Sequence, residues 1–193
     1  ISGFGRTGPM ADEGGFDLIA QGMSGLMSIT GEGAGRPPVK IGAPVTDITA
    51  GILAAMGICA ALHRRERTGQ GEIVDTSLFE AGIALTYWQS AIAMATGIAP
   101  GPMGSAHPLN APYQAFKTAD GWITVGAANQ SNWLRLIEVL DVPALGQDPR
   151  FASNADRMRN LSALEAELTR VFGSRTSAAW LEKLARAGVP CGP

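Results

Sequence analysis

The chain has 193 residues, of which 46% are apolar and 17% are charged, and its formal net charge is −2. This composition is typical of a globular protein and excludes an intrinsically disordered one. The basic residues form no stripe along the sequence, so we expect no nucleic-acid partner. The most apolar run, 48–62, is short and rich in Gly and Ala, so we expect no membrane partner either.

Cysteine usage and the chain ends bear on the cellular setting. Cys59 and Cys191 belong to no CxxC motif and no Cys/His cluster, which favours a reducing, cytoplasmic compartment and gives no metal-site spacing. The sequence has no signal-peptide pattern. The chain begins at Ile1 rather than at a methionine and stops at GVPCGP, so we expect it to be an internal piece of a longer protein.

The first hundred residues are predicted to be mainly helical. Apolar residues recur at helical spacing in three segments, and one segment alternates like a short strand. The predicted helices are 15–29, 47–67 and 77–96, and the predicted strand is 72–78. Thr46 and Asp47 form a good N-cap signal for the second helix, which Thr68 and Gly69 end.

The composition changes to Gly, Pro and polar residues over 97–112, which predicts a domain boundary. Beyond it, alternating residues flank Asp120-Gly121 and predict a β-hairpin. Three further helices are predicted at 131–140, 154–172 and 177–187, the last closed by Gly188.

Two patterns resemble functional motifs but lack the necessary context. GFGRTG (3–8) matches the dinucleotide-binding consensus, but no strand precedes it and Pro9 follows at once. His63 belongs to a basic helix end, and His107 lies in a loop without a nucleophile motif. We therefore expect neither a nucleotide loop nor a catalytic triad.

Asp47 is the only charged residue between Lys40 and His63. It has two interpretations: a helix cap, or an ionised carboxylate that attacks an acyl group with the help of nearby N–H donors. Small residues around it, among them Gly42 and Gly51, would admit a bulky substrate. The spacing alone leaves both interpretations open.

Several ordered motifs together resemble the family III CoA-transferases, the CaiB/BaiF family. They are SGFGRTGP, GFDLIAQGMSGLMSITGE, PPVKIGAPVTDITAGILAAMGICAALHRRERTGQGEIVDTSLFEA and HPLNAPYQAFKTADGWITV. The resemblance extends over essentially all 193 residues, through AGVPCGP at the end. About half of a typical family chain is present.

The resemblance implies an α/β fold in which part of a Rossmann-like large domain is followed by a small α/β domain. Residues 1–100 would belong to the large domain and carry the catalytic aspartate, and residues 104–193 would form the small domain. The resemblance further implies an interlocked homodimer for the complete protein. The residues that hold the CoA nucleotide in relatives would lie mostly outside this chain.

The resemblance also implies a reaction. Asp47 stands where the family has its nucleophilic aspartate, so we expect it both to cap its helix and to attack an acyl-CoA thioester. The substrates would be an acyl-CoA and a small carboxylic acid, with no permanently bound cofactor and no metal. Phe16 and Asp17 are candidate substrate-binding residues.

Two alternatives remain open. The α-methylacyl-CoA racemases share the fold, but their catalytic histidine belongs to a G-H-D triplet that here reads Gly15-Phe16-Asp17. Because phenylalanine cannot move a proton, transfer is favoured over racemisation. The second alternative is an inactive truncated remnant.

Overall fold

The computed structural model describes residues 1–193, which form two compact units, Ile1–Gly104 and Ser105–Pro193. The division falls inside the 97–112 segment where the sequence predicts a boundary. It lies a few residues beyond the predicted domain end at residue 100. We call these parts unit 1 and unit 2.

Unit 1 is built from five helices. They are α1 (Asp17–Met23), α2 (Leu26–Ile29), α3 (Val45–Thr68), α4 (Leu78–Leu85) and α5 (Tyr87–Thr96). Its only β-structure is an isolated parallel bridge between Ser2 and Ser77. The predicted strand over 72–78 is therefore wrong, because no neighbouring strand in the chain pairs with it.

Two predicted helices of unit 1 are each divided in the structure. The predicted helix 15–29 breaks at Gly25, whose φ of 86° lies in the left-handed region that glycine adopts without strain. The predicted helix 77–96 breaks at Thr86, whose hydroxyl donates to the carbonyl of Ile83 at 2.9 Å. Such a bond competes with the regular helical pattern and allows the chain to change direction.

Helix α3 begins two residues earlier than predicted. Its N-cap residue is Pro44, which offers no side-chain hydrogen bond, and Asp47 lies in the first turn. The expectation that Thr46 and Asp47 cap this helix is therefore wrong. Gly69, with φ of 72°, ends the helix as predicted.

The apolar run 48–62 proves to be part of a longer element than its sequence indicates. Helix α3 has 24 residues and, by length and composition only, could cross a membrane, although it is mostly not buried within the structure. Core helices of soluble proteins also have this length and composition. The helix is thus weak evidence for a membrane span. The expectation that the apolar run is too short to cross a membrane is corrected, because the helix that contains it is long enough.

The buried cluster of unit 1 lies where α1, α3 and α4 meet and consists of three alanines and one leucine. Its members are Ala20, Ala50, Leu78 and Ala81. Gly82 of α4 makes the close approach possible, because a Cβ there would lie 2.5 Å from the hydroxyl of Ser24 and 3.4 Å from Thr46. This packing presses the start of α3 against its neighbours.

Unit 2 contains a three-stranded antiparallel sheet in the order β1 (Tyr113–Lys117), β2 (Trp122–Gly126) and β3 (Cys191–Gly192). The register pairs Ala115 with Thr124, which confirms the predicted hairpin. Its helices are α6 (Gln130–Leu140), α7 (Pro143–Gln147), α8 (Asn154–Arg159), α9 (Leu161–Phe172) and α10 (Ser177–Arg186), with a 3₁₀ turn at Pro149–Phe151. The predicted helix 154–172 is divided at Asn160.

Unit 2 has a large apolar core that includes Phe116, Ile123, Trp133, Phe172 and Trp180. A fully buried arginine, Arg157, lies beside it and has no carboxylate partner. Its guanidinium donates to the carbonyls of Ala111 at 2.7 Å and Phe151 at 3.0 Å, and to Gln130 at 3.0 Å. Arg157 thereby holds the segment before β1 against the helices of unit 2.

Candidate functional site

Asp47 lies in the first turn of α3 with an exposed side chain. The structure gives its carboxylate no hydrogen-bond donor and no ion-pair partner. The carboxylate is therefore open to solvent at the end of a helix whose dipole favours a negative charge. A carboxylate in this state has free lone pairs with which to attack an electrophile.

Several peptide N–H groups around Asp47 are also free. In the first turn of α3, the N–H groups of Thr46 and Ile48 are bonded within unit 1. Those of Gly42, Ala43 and Asp47 itself donate to no protein atom. N–H groups near a nucleophile can stabilise the oxyanion that forms when it attacks a carbonyl.

Asp17 of α1 takes the capping role that the sequence assigns to Asp47. Its Oδ1 accepts hydrogen bonds from the backbone N–H of Thr46 at 2.9 Å and from the Thr46 hydroxyl at 2.8 Å. Thr46 is fully buried. A carboxylate from a helix 29 residues away in sequence thus fixes the residue that directly precedes Asp47.

Gln21 continues this arrangement from the next turn of α1. Its Nε2 donates to Oδ2 of Asp17 at 2.7 Å, and its Oε1 accepts from the backbone N–H of Ile41 at 2.9 Å. Gln21 is fully buried. Lys40 adds bonds from Nζ to the carbonyls of Ile41 at 3.2 Å and Gly42 at 3.1 Å. The loop before Asp47 is therefore held at both of its ends.

The pKa of Asp17 reflects these contacts. Burial acts to raise it, but the hydrogen bonds from the Thr46 N–H and hydroxyl and from Gln21, together with the charge of Lys40, lower it below its ordinary value. Asp17 is consequently ionised at neutral pH. Its oxygens face protein donors rather than open solvent.

Phe16 precedes Asp17 as the N-cap residue of α1, and the residue is 80% exposed. Phe16 and Asp47 are the chain neighbours of Asp17 and Thr46, so the Asp17–Thr46 hydrogen bond brings their backbones close to each other. The substrate-binding role predicted for Phe16 stays a prediction. An exposed aromatic ring on this side of unit 1 is compatible with it.

The small residues beside Asp47 leave open space. A Cβ added at Gly42 or at Gly51 would meet no atom within 4 Å. The space beside these two glycines is therefore open, and the expectation that a bulky substrate fits there stays a prediction.

The other candidate motifs lie apart from this arrangement. Residues 3–8 form a loop, and the next helix begins only at Asp17, so the dinucleotide-binding interpretation fails. His63 lies exposed near the C-terminal end of α3, and His107 belongs to unit 2, where its Nδ1 accepts from the N–H of Leu109 at 3.1 Å. Both cysteines are free thiols, and no group of three or more His, Cys, Asp or Glu side chains could hold a metal ion.

Sequence reasoning missed Gln21 and the backbone of Ile41. The signal for Gln21 was present, because residues four apart on a helix share a face and Gln21 follows Asp17 by four. No local pattern could indicate that this face meets residues 41–46.

Comparison with known proteins identifies what the whole chain is similar to. A family model described as CoA-transferase family III matches residues 1–193. The acetyl-CoA:oxalate CoA-transferase of Acetobacter aceti is 39% identical over 192 residues, which cover 100% of this chain and 49% of the relative. The succinyl-CoA:glutarate CoA-transferase of Mus musculus is 37% identical, over 100% of this chain and 44% of the relative.

A solved structure agrees with these relatives. The crystal structure of a CAIB/BAIF family protein from Brucella suis superposes with a TM-score of 0.81 at 38% identity, covering 100% of this chain and 50% of that one. The chain therefore spans about half the length of the relatives it matches.

Proposed function

The chain belongs to CoA-transferase family III, and from this premise we propose that the complete protein transfers CoA between an acyl-CoA and a carboxylic acid, with Asp47 as the covalent nucleophile. One observation carries the assignment of Asp47. Its carboxylate is exposed in the first turn of α3 and bonded to nothing, while the loop in front of it is fixed.

The proposed reaction proceeds through two kinds of acyl-enzyme. The Asp47 carboxylate attacks the thioester carbonyl of the donor, forming a mixed anhydride and releasing CoA thiolate. The thiolate then attacks the Asp47 carbonyl of the anhydride, which gives an aspartyl-CoA thioester and the free donor acid. The acceptor carboxylate repeats these two steps in reverse order, so that acceptor acyl-CoA leaves and the Asp47 carboxylate is restored.

Each step exchanges one activated acyl bond for another, so the reaction needs no ATP. The negative charge that develops on the carbonyl oxygen requires fixed donors. The unbonded N–H groups of Gly42, Ala43 and Asp47 are the candidates in this chain. They lie on a backbone that the contacts to Asp17 and Gln21 hold in place.

The racemase alternative is not favoured by the residues at this site. Proton removal from an acyl α-carbon needs a base such as histidine. Phe16 occupies the position between Gly15 and Asp17 and has no ionisable group. An exposed ring there suits contact with the acyl part of a substrate.

The relatives suggest where a substrate search should start. They are named for oxalate and glutarate transfer, so small dicarboxylic acids are the first acceptors to test. Acetyl-CoA and succinyl-CoA are the corresponding donors.

Trapping the first covalent intermediate tests the proposal. The complete protein is incubated with acyl-CoA without acceptor, digested with trypsin and analysed by mass spectrometry. Cleavage after Lys40 and Arg64 yields the peptide 41–64, in which Asp47 is the only side-chain carboxylate. We expect an acyl or CoA adduct on this peptide.

A Cys59→Ala variant provides the control, because the Cys59 thiol lies on the same peptide and is exposed. The adduct should persist in this variant. If a preparation that is active with acceptor shows no adduct on peptide 41–64 when the acceptor is left out, the proposal is overturned.

A further inference from the structure

We propose that Asp17 and Gln21 of α1 form a clamp that positions Asp47 for attack without touching the substrate. This inference deepens the proposed function and rests on it. It assigns Asp17 a different role from the substrate-binding one that the sequence predicts. Asp17 and Gln21 are positioning residues, since both act through the loop that leads into α3.

The clamp holds both ends of one short loop. Asp17 binds the backbone N–H and the hydroxyl of Thr46, and Gln21 binds the backbone N–H of Ile41. Gln21 and Thr46 are fully buried, and so these contacts are shielded from competing water. The residues between the two anchored positions include Gly42, whose backbone is intrinsically mobile.

The hydrogen bonds of the clamp have a single consistent polarity. Thr46 donates twice to one oxygen of Asp17, and the Gln21 amide donates to the other. Gln21 must therefore turn its oxygen toward the N–H of Ile41, where it accepts at 2.9 Å. This order requires both side-chain oxygens of residue 17 to accept hydrogen bonds, as the two oxygens of an ionised carboxylate do.

Loss of this order would move the nucleophile. Asp47 has no contact of its own that fixes its carboxylate, so its position depends on the first turn of α3 and on the loop before it. A displacement of about 1 Å at a reacting group can reduce a rate about a hundredfold. The binding of acyl-CoA, by contrast, should depend little on Asp17.

Exchanging the charge between the two clamp residues tests this assignment in the complete protein. In D17N, the amide nitrogen of residue 17 faces the amide nitrogen of Gln21, so one hydrogen bond is lost. In the double variant D17N/Q21E, the introduced amide at position 17 donates to the introduced carboxylate at position 21. That carboxylate still accepts from the N–H of Ile41. The number of charges is the same as in the wild type, and the polarity between residues 17 and 21 is restored, whereas the long 3.4 Å bond from Nε2 of Gln21 to the carbonyl of Ile41 is lost.

We expect D17N to lower the rate constant of adduct formation on Asp47 about a hundredfold, with KM for acyl-CoA nearly unchanged. The double variant should recover most of that loss. Hydrogen exchange at the amides of Ile41 and Thr46 should accelerate in D17N and return toward the wild-type rate in the double variant.

A matched control separates positioning from general stability. Asp120 in unit 2 makes the same kind of contact, since its Oδ1 accepts from the N–H of Ser177 at 2.7 Å and from the hydroxyl of Thr118 at 3.1 Å. D120N should leave the rate constant of adduct formation unchanged.

Each outcome decides a separate point. An adduct that forms in D17N at the wild-type rate would overturn the clamp. No adduct on wild-type Asp47 would instead refute the proposed function, and hydrogen exchange would then judge the clamp alone. If D17N does not fold, the double variant decides: a folded, active double variant supports the clamp, and an unfolded or inactive one contradicts it.

Discussion

Replacing Asp47 by Asn should abolish CoA transfer while leaving the fold almost unchanged. The stability effect is small because the Asp47 carboxylate has no hydrogen-bond partner to lose. Only its interaction with the helix dipole disappears, and such interactions contribute about 0.3–1 kcal/mol. The rate effect is large because a neutral amide cannot form the acyl anhydride. Removal of a covalent nucleophile lowers kcat by roughly 10⁴- to 10⁶-fold.

The assay pairs two measurements on the complete protein. Thermal melting gives the stability of the variant, and CoA exchange between an acyl-CoA and a dicarboxylic acid gives its activity. Asp75→Asn is the matched control, since it removes the same charge from another exposed aspartate of unit 1. We expect the control to melt and turn over like the wild type.

Two results would refute this reasoning. If the Asn variant keeps near-normal turnover, Asp47 is not the nucleophile. If the variant loses several kcal/mol of stability, the exposed carboxylate stabilises the fold, although it makes no hydrogen bond in the structure.

Three further predictions concern the reaction type, the core of unit 2 and the effect of acid. Because Phe16 cannot transfer a proton, the complete protein should incorporate no deuterium into a 2-methylacyl-CoA in heavy water. Mass spectrometry measures this incorporation, and deuterium uptake at catalytic rates would overturn the transferase assignment. Arg157→Met should lower the free energy of unfolding by at least about 2 kcal/mol, because each buried carbonyl left unpaired costs about 1–3 kcal/mol; an unchanged denaturation midpoint would contradict this. Because the pKa of Asp17 lies below its ordinary value of 3.8, its contribution to stability is complete above that pH and disappears as the pH falls through the lower, folded-state value. The stability difference between the wild type and D17N should therefore be constant near neutral pH and shrink below pH 3.8, and a difference that grows in acid would have the wrong sign.

The elements that the sequence predicts best are those with local signals. Gly69 follows α3 and Gly188 follows the C-cap of α10, both with positive φ and with contacts to residues of the last helical turn. The hairpin around Asp120 and Gly121 likewise depends on the turn itself. In such cases the residues that determine the structure are adjacent in sequence, so a single chain reveals them.

The errors arise where tertiary contacts override local preference. Residues 72–78 alternate like a strand, yet a strand needs a partner, and only Ser77 finds one in a single bridge to Ser2. The apolar spacing over 15–29 continues across Gly25, but that glycine adopts a left-handed conformation and turns the chain. Periodicity also misjudged the buried face of 15–29, since Ile19 and Met23 are 47% and 48% exposed while Ala20 and Leu26 are buried.

At the candidate site, too, tertiary contacts decide what local sequence leaves open. Local spacing identified Asp47 as a carboxylate at the start of a helix, and this position suits a cap and a nucleophile equally. The two roles make opposite demands, since a capping carboxylate has its oxygens bonded to N–H groups, whereas a nucleophile needs free lone pairs. In the structure, Asp17 of α1 binds the N–H of Thr46, and the carboxylate of Asp47 has no hydrogen bond, which leaves it free for the role that we propose. Because Asp17 performs the capping, the helix keeps its stability without engaging the one carboxylate that the proposed chemistry requires to be free.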